Sequence, residues 1–258
     1  MKSVEKYLLD KIREFGNIHI SLIDPEEIKQ SETAFLSKSL EKAGTDAIMV
    51  GGSTVVSLSQ LDETVQNIKA NVNIPVILFP NNLTGVSQYA DALWFMSLLN
   101  STNPYFITGI QALAAPLIKR MKIESIPLGY IIVGEGSTAA YVGQAHVIPH
   151  DKPEVATGFA LAAQYMGMRF VYLEAGSGSE SFISPKMISL VKKYVEIPII
   201  VGGGIRTPQD AKLVAEAGAD IIVTGTIIEE SSNKTLQEII LSIKEAGKNK
   251  ILNPSPFG

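Results

Sequence analysis

Three glycine-rich segments of this chain have a composition suited to holding an anion: Tyr172-Leu173-Glu174-Ala175-Gly176-Ser177-Gly178, Gly202-Gly203-Gly204-Ile205-Arg206 and Thr224-Gly225-Thr226. Glycines let backbone N–H groups approach phosphate oxygens closely, and a helix starting just beyond adds the partial positive charge of its N-terminus. Two further segments, Ile23-Asp24-Pro25 and Gly51-Gly52-Ser53-Thr54, supply a carboxylate, backbone donors and hydroxyls, and suggest a second anion site. An anion beside Asp24 is repelled, since like charges ~4 Å apart cost on the order of 4 kcal/mol at an effective dielectric near 20. Mg²⁺ bridging the carboxylate and phosphate oxygens removes that repulsion. Asp24 also reads as the cap of the turn that follows it.

Glu174 falls between the two proposed anion sites. There its carboxylate can accept a proton from a substrate hydroxyl or hold that hydroxyl in line. The competing reading is a structural ion pair with Arg206 or Lys186. The histidines are less informative. His146 and His150 have the i, i+4 spacing of a metal pair, but Pro149 lies between them and no Cys or further His completes a set, so they read as a surface loop. His19 enters its strand from the N-terminal end, away from the proposed site.

These groups need a scaffold that brings them together. Short apolar runs ending in Gly, Asp or Asn alternate with longer helical patterns along the chain. Strands are expected near residues 19–23, 47–50, 76–79, 92–96, 128–133, 170–173, 199–201 and 221–223. Several are apolar at successive positions, as in a parallel sheet covered on both faces. Helices fit at 32–43, 59–70, 103–121, 154–168, 185–194, 208–217 and 235–246, with Ser184 and Thr207 placed to cap two of them just before Pro185 and Pro208. The pattern predicts a single-domain (β/α)₈ TIM barrel over residues 1–258, ahead of an open doubly wound sheet. In such a barrel all five polar segments follow strands and share one face.

One unit is irregular. Only about a dozen residues, broken by Pro, Asn and Gly, separate the third strand from the fourth, too few for a full crossover helix. An irregular or extended segment is expected in place of the third helix, opening a side groove beside strand four. Residues 92–118 carry no charge and are long enough to span a bilayer, but Asn100, Ser101, Thr102, Asn103 and Pro104 interrupt them. They read as strand, turn and helix, with no transmembrane segment. Trp94, Phe95, Tyr105 and Phe106 then either fill the core or line the groove, and Trp94 and Tyr105 are the candidates to limit its depth. The repeated Ala43-Gly44-Thr45-Asp46 and Ala217-Gly218-Ala219-Asp220 are helix exits into strands.

Composition narrows the classes. The 258 residues carry 22 basic and 26 acidic side chains, a net charge of −4, and 46% are hydrophobic. That excludes disorder and argues against nucleic acid as a partner. With no cysteine, disulfides, thiolate metal sites and thiol nucleophiles are excluded. The charged, amphipathic N-terminus lacks the unbroken apolar core of a signal peptide, and a cytoplasmic location is the default.

Together, Asp24-Pro25, Gly51-Gly52-Ser53, the segment from Tyr172 through Gly178, the triple glycine with Ile205-Arg206, and Gly225-Thr226 resemble the geranylgeranylglyceryl phosphate synthases of archaeal type. The likeness runs through nearly the whole chain. It implies a modified barrel that joins sn-glycerol 1-phosphate to geranylgeranyl diphosphate in ether-lipid biosynthesis, with Mg²⁺ as cofactor. By motif, Asp24 and Ser53 would hold the metal. Tyr172, Leu173, Glu174, Ala175, Gly176, Ser177, Gly178, Gly203, Gly204, Gly225 and Thr226 would bind glycerol 1-phosphate, with Glu174 and Tyr172 catalytic. Bacterial relatives use a longer heptaprenyl donor, which is the alternative for this chain. A phosphosugar isomerase or lyase, and a non-catalytic phosphate sensor, are the competing classes. Self-association into a homo-oligomer is also expected, mainly from the resemblance.

Overall fold

The computed structural model describes residues 3–52, 57–225 and 233–252. Its eight parallel strands close into a barrel in sequence order. They are β1 (Ile18–Ile23), β2 (Ala47–Val50), β3 (Val76–Leu78), β4 (Ala92–Leu98), β5 (Glu124–Ile132), β6 (Phe170–Glu174), β7 (Ile199–Gly202) and β8 (Ile221–Thr224). The ring closes where Ile18 of β1 stands opposite Ile221 of β8.

Because side chains alternate between the two faces of a strand, each strand feeds two cores. Ile20, Met49, Ile77, Leu128 and Ile200 belong to the cluster that fills the barrel. Ile48, Val50, Leu173, Val201 and Ile222 pack outward against the helices. Each such burial contributes roughly 1.5–3 kcal/mol, which is why Ile and Val recur at successive strand positions.

Helix α1 (Val4–Phe15) plugs the N-terminal end of the barrel, with Val4 and Leu8 joining the interior cluster. Its first turn is fixed by Glu124, whose carboxylate accepts the backbone N–H of Val4 at 2.7 Å and of Glu5 at 2.9 Å. With that end stoppered, the other end carries the open mouth.

The outer layer contains α2 (Gln30–Ala43), α3 (Leu58–Lys69), α4 (Ile110–Met121), α5 (Thr138–Val142), α6 (Pro153–Tyr165), α7 (Pro185–Tyr194), α8 (Pro208–Glu216) and α9 (Asn233–Leu252). The expected caps are in place. Ser184 accepts the N–H of Met187, and Thr207 forms a reciprocal capping box with Asp210. Gly44 ends α2 in the left-handed conformation at φ +101°, as the helix-exit reading required. The short helix α5 was not anticipated. It lies in the connection after β5, where Gly134 and Gly136 obscure any helical period.

The third crossover is irregular, as its composition indicated. Between β3 and β4 the chain makes only a single 3₁₀ turn, Leu83–Gly85. No α-helix covers the outer face of β4 from that side, and a groove lies between β4 and α4. The uncharged segment resolves into β4, a polar turn, a π-helical turn (Tyr105–Gly109) and α4. No helix among the described residues is long and apolar enough to cross a membrane.

Candidate active site at the barrel mouth

The C-terminal ends of the strands surround one cavity of about 500 Å³, within the size range of small-molecule sites. Gly176, Ser177, Gly178, Gly203, Gly204 and Gly225 border one side, from the ends of β6, β7 and β8. Asp24, Glu27, Gly51 and Gly52 border the opposite side, after β1 and β2. Tyr172 and Glu174 lie between them. The cavity then continues into the side groove, past Leu93, Phe95, Phe106, Ala114 and Ile118. Leu173 and Ala175, by contrast, face outward into the core behind the loop. They support the glycine loops from behind and do not border the cavity.

The glycines are required sterically. Gly203 (φ +85°), Gly204 (φ +71°), Gly176 (φ +106°) and Gly178 (φ +72°) hold left-handed conformations that side chains resist. A Cβ on Gly203 would run into the Glu174 carboxylate and the Gly176 backbone. Gly202 leaves room for the Tyr172 hydroxyl in the same way.

Glu174 is only 7% exposed. Its Oε1 accepts the Gly176 N–H at 2.6 Å, and the Tyr172 hydroxyl donates to the same carboxylate. Burial raises the Glu174 carboxyl above its ordinary value, and the two donors offset that only in part. Tyr172 is pushed well above the usual phenol value by burial and by the neighbouring Glu174, so it remains a proton donor. Beneath them Phe79, Tyr130 and Tyr172 pack edge-on or tilted, with ring centroids 5.4–5.7 Å apart. The ion-pair reading of Glu174 does not hold among the described residues. Arg206 instead donates to the Gly178 carbonyl at 3.2 Å and braces two of the glycine loops.

Both readings of Asp24 hold at once. Its Oδ1 caps the turn by accepting the Glu26 N–H at 3.0 Å. Its carboxylate also lies against Gly52, where any side chain would collide with it, and it borders the cavity. Burial raises its carboxyl above the ordinary value. Ser53 and Thr226 lie outside the described residues. No cluster of three or more His, Asp or Glu side chains able to hold a metal occurs among the described residues. The donor set does fit Mg²⁺, however, because that ion is commonly bound by one or two carboxylates with substrate phosphates completing its shell.

The groove aromatics divide. Phe95 and Phe106 line it as expected. Trp94 borders it from inside the barrel but is wholly buried, packed edge-on against Phe170 at 5.2 Å. Tyr105 requires correction, because it is 41% exposed and does not line the cavity. Phe106 stands four residues before Ile110 on the inward face, and Tyr105 is one step off that face. His150 Nε2 meets the Ser181 hydroxyl at 3.2 Å. His19 is fully buried between Thr45 and Thr224, at 2.9 Å from each hydroxyl, and is neutral, its imidazole lowered to about 3 chiefly by burial.

Glu27, Asn81, Asn82, Arg206 and Gln111 also border the cavity and were not singled out from sequence as site residues. Arg206 was legible as the end of the triple-glycine motif. The two asparagines belong to the irregular segment, whose path no periodicity fixes.

The chain is similar to known proteins over nearly its whole length. A sequence profile described as the PcrB family matches residues 10–243. Geranylgeranylglyceryl phosphate synthase of Thermofilum pendens is 53% identical over 244 residues, 94% of this chain and 95% of that protein. Among solved structures, (S)-3-O-geranylgeranylglyceryl phosphate synthase from Thermoplasma acidophilum, in complex with its substrate sn-glycerol-1-phosphate, superposes with a TM-score of 0.92. It is 47% identical, covering 95% of this chain and all of that one. Wild-type GGGPS from Thermoplasma volcanium gives a TM-score of 0.88 at 45% identity, covering 92% of this chain and 97% of that one.

Proposed function

The chain belongs to the PcrB family, among the geranylgeranylglyceryl phosphate synthases, and we propose that it transfers a geranylgeranyl group from its diphosphate to sn-glycerol 1-phosphate. The observation that carries this reading is the continuity of the cavity. One space joins glycine loops suited to a phosphate, a carboxylate pair on the opposite rim and an apolar groove suited to an isoprenoid. A phosphosugar isomerase has no use for the groove.

The loops after β6, β7 and β8 anchor the glycerol phosphate, with Ser177 and the backbone N–H groups as donors. This places the terminal hydroxyl of the glycerol beside Glu174. The prenyl chain lies in the groove, which keeps water from the allylic carbon. As the C1–O bond of the donor breaks, its electron pair leaves with the diphosphate and positive charge develops on the allyl group. The glycerol oxygen forms the new ether bond to C1, and its proton passes to Glu174. Burial makes Glu174 a stronger base than an exposed carboxylate, and Tyr172 and Gly176 fix where it points.

Two anionic substrates meet at a mouth whose charged border among the described residues is Asp24, Glu27 and Glu174 against Arg206 alone. Residues 53–56 and 226–232 contain no Lys or Arg. Such a site needs an added cation at the diphosphate. Asp24 and Ser53 would hold Mg²⁺, which when bound supplies charge neutralisation of the leaving group. Release of inorganic diphosphate tests this reading: it should require sn-glycerol 1-phosphate, geranylgeranyl diphosphate and Mg²⁺ together. Release from the prenyl diphosphate alone at the same rate would contradict it.

A further inference from the structure

One wall of the groove is tied to the barrel by two side chains with no assigned role. We propose that Gln111 and Ser97 form a clamp that fixes the width of the groove and thereby sets which prenyl chain length is accepted; this rests on reading the groove as the prenyl site.

The first turn leading into α4 is π-helical, with the Ile110 N–H bonded to the Tyr105 carbonyl five residues back. Such turns are rare and occur frequently at functional sites. Two carbonyls of this wide turn accept from side chains. Gln111 Nε2 donates to Phe106 O at 3.1 Å and to Met96 O at 2.7 Å. Ser97 Oγ donates to Ile107 O at 2.7 Å. Met96 and Ser97 lie at the C-terminal end of β4, so two of these hydrogen bonds lock the start of α4 to the strand across the groove, and the remaining one, to Phe106 O, braces the turn itself.

The walls held apart by this lock are the ones that meet the chain. Leu93 and Phe95 of β4 border the cavity on one side, and Ile110, Ala114 and Ile118 of α4 on the other. Gln111 sits among them, and its Oε1 is buried without a partner among the described residues. A buried amide in an apolar wall is costly, and a leucine there would avoid the orphaned oxygen. The amide's two donations are what offset that cost, so its function is positional. With the clamp in place the groove cannot widen to follow a longer or bulkier donor.

The test uses the full chain with sn-glycerol 1-phosphate and Mg²⁺, and prenyl diphosphates of C₁₅, C₂₀, C₂₅ and C₃₅. Gln111→Leu removes both donations at similar volume, and Ser97→Ala removes the third independently, serving also if the first variant does not fold. Each is expected to raise the C₂₅ to C₂₀ ratio of kcat/KM, by about tenfold for Gln111→Leu, the scale of one or two lost hydrogen bonds. The KM for sn-glycerol 1-phosphate should not change. Activity lowered in equal proportion for all donors, with the ratio as in wild type, would show a merely structural bond and overturn the clamp. Absence of transfer by the wild-type chain with every donor would overturn the prenyl reading itself, and the clamp with it.

Discussion

Glu174 Oε1 accepts the Gly176 backbone N–H at 2.6 Å, so the proposed base and the first glycine of the phosphate loop are held as one unit. In the proposed reaction the group that takes the proton would thereby be positioned by the loop that also holds the glycerol phosphate.

Glu174→Gln keeps the shape of that unit and removes the base. Turnover is expected to fall by about a hundred- to ten-thousandfold, the usual contribution of general-base catalysis. The KM for glycerol phosphate should change far less. Equal losses in kcat and in phosphate affinity would assign Glu174 to binding.

The same residue sets a pH dependence. Burial is the largest influence on Glu174 and raises its carboxyl above the ordinary value. The active base form therefore fills only as the pH passes that raised value, and kcat should climb with pH through a midpoint above the usual carboxylate range. Stability runs the opposite way. A group whose folded-state pKa is raised contributes stability that is fully present below its unfolded value and lost as pH rises through the folded one. Glu174→Gln should remove both trends. A pH–rate limb retained in that variant would place the titrating group elsewhere.

Asp24→Asn removes the carboxylate that faces Gly52 without adding bulk. Turnover should be largely abolished while Tm stays near wild type, because the turn-capping oxygen is retained. Near-normal rates at limiting Mg²⁺ would defeat the assignment of Asp24 to the metal.

Two glycines on the phosphate side should behave differently. Among the described residues, the atoms nearest a Cβ on Gly225 belong to Leu22, at ordinary contact distances of 3.4 to 3.6 Å. Gly225→Ala is thus expected to leave Tm unchanged and raise the KM for glycerol phosphate. Gly203→Ala meets backbone at a positive φ and should destabilise the fold by about 1–3 kcal/mol. A rise in the prenyl diphosphate KM alone for Gly225→Ala would mean that the two substrates are on exchanged sides.

Much of this was legible in sequence, for a physical reason. Strands covered on both faces write themselves as runs of Ile and Val, and the polar residues just after them, from Asp24 to Gly225, fall on the mouth wherever the exact strand ends lie. The irregular third crossover was equally readable, since Pro, Asn and Gly left no room for a helix. Side-chain phase was harder. Tyr105 and Phe106 are adjacent, and only the turn's hydrogen bonding decides which ring faces the groove. The clamp was invisible because Ser97 and Gln111 act on backbone carbonyls, which carry no residue signature.

Trp94 and Tyr105 separate packing from donor selection. Trp94→Ala should cost about 3–5 kcal/mol as a buried aromatic, and the hollow, which adjoins the cavity, should shift preference toward longer donors. Tyr105→Ala is exposed and should change stability by no more than about 0.5 kcal/mol, with donor preference unchanged. A shift in chain length for Tyr105→Ala but not Trp94→Ala would move the groove to the other side of the π turn.

Transfer of labelled glycerol into an extractable lipid tests the central claim most directly. With radiolabelled sn-glycerol 1-phosphate, geranylgeranyl diphosphate and Mg²⁺, label should pass into the organic phase, and omission of any one of them or use of Glu174→Gln should leave it in water. Label that stays in the aqueous phase with all three present would contradict the account. Label extracted only with a C₃₅ donor would keep the chemistry but show that the groove was built for a longer chain.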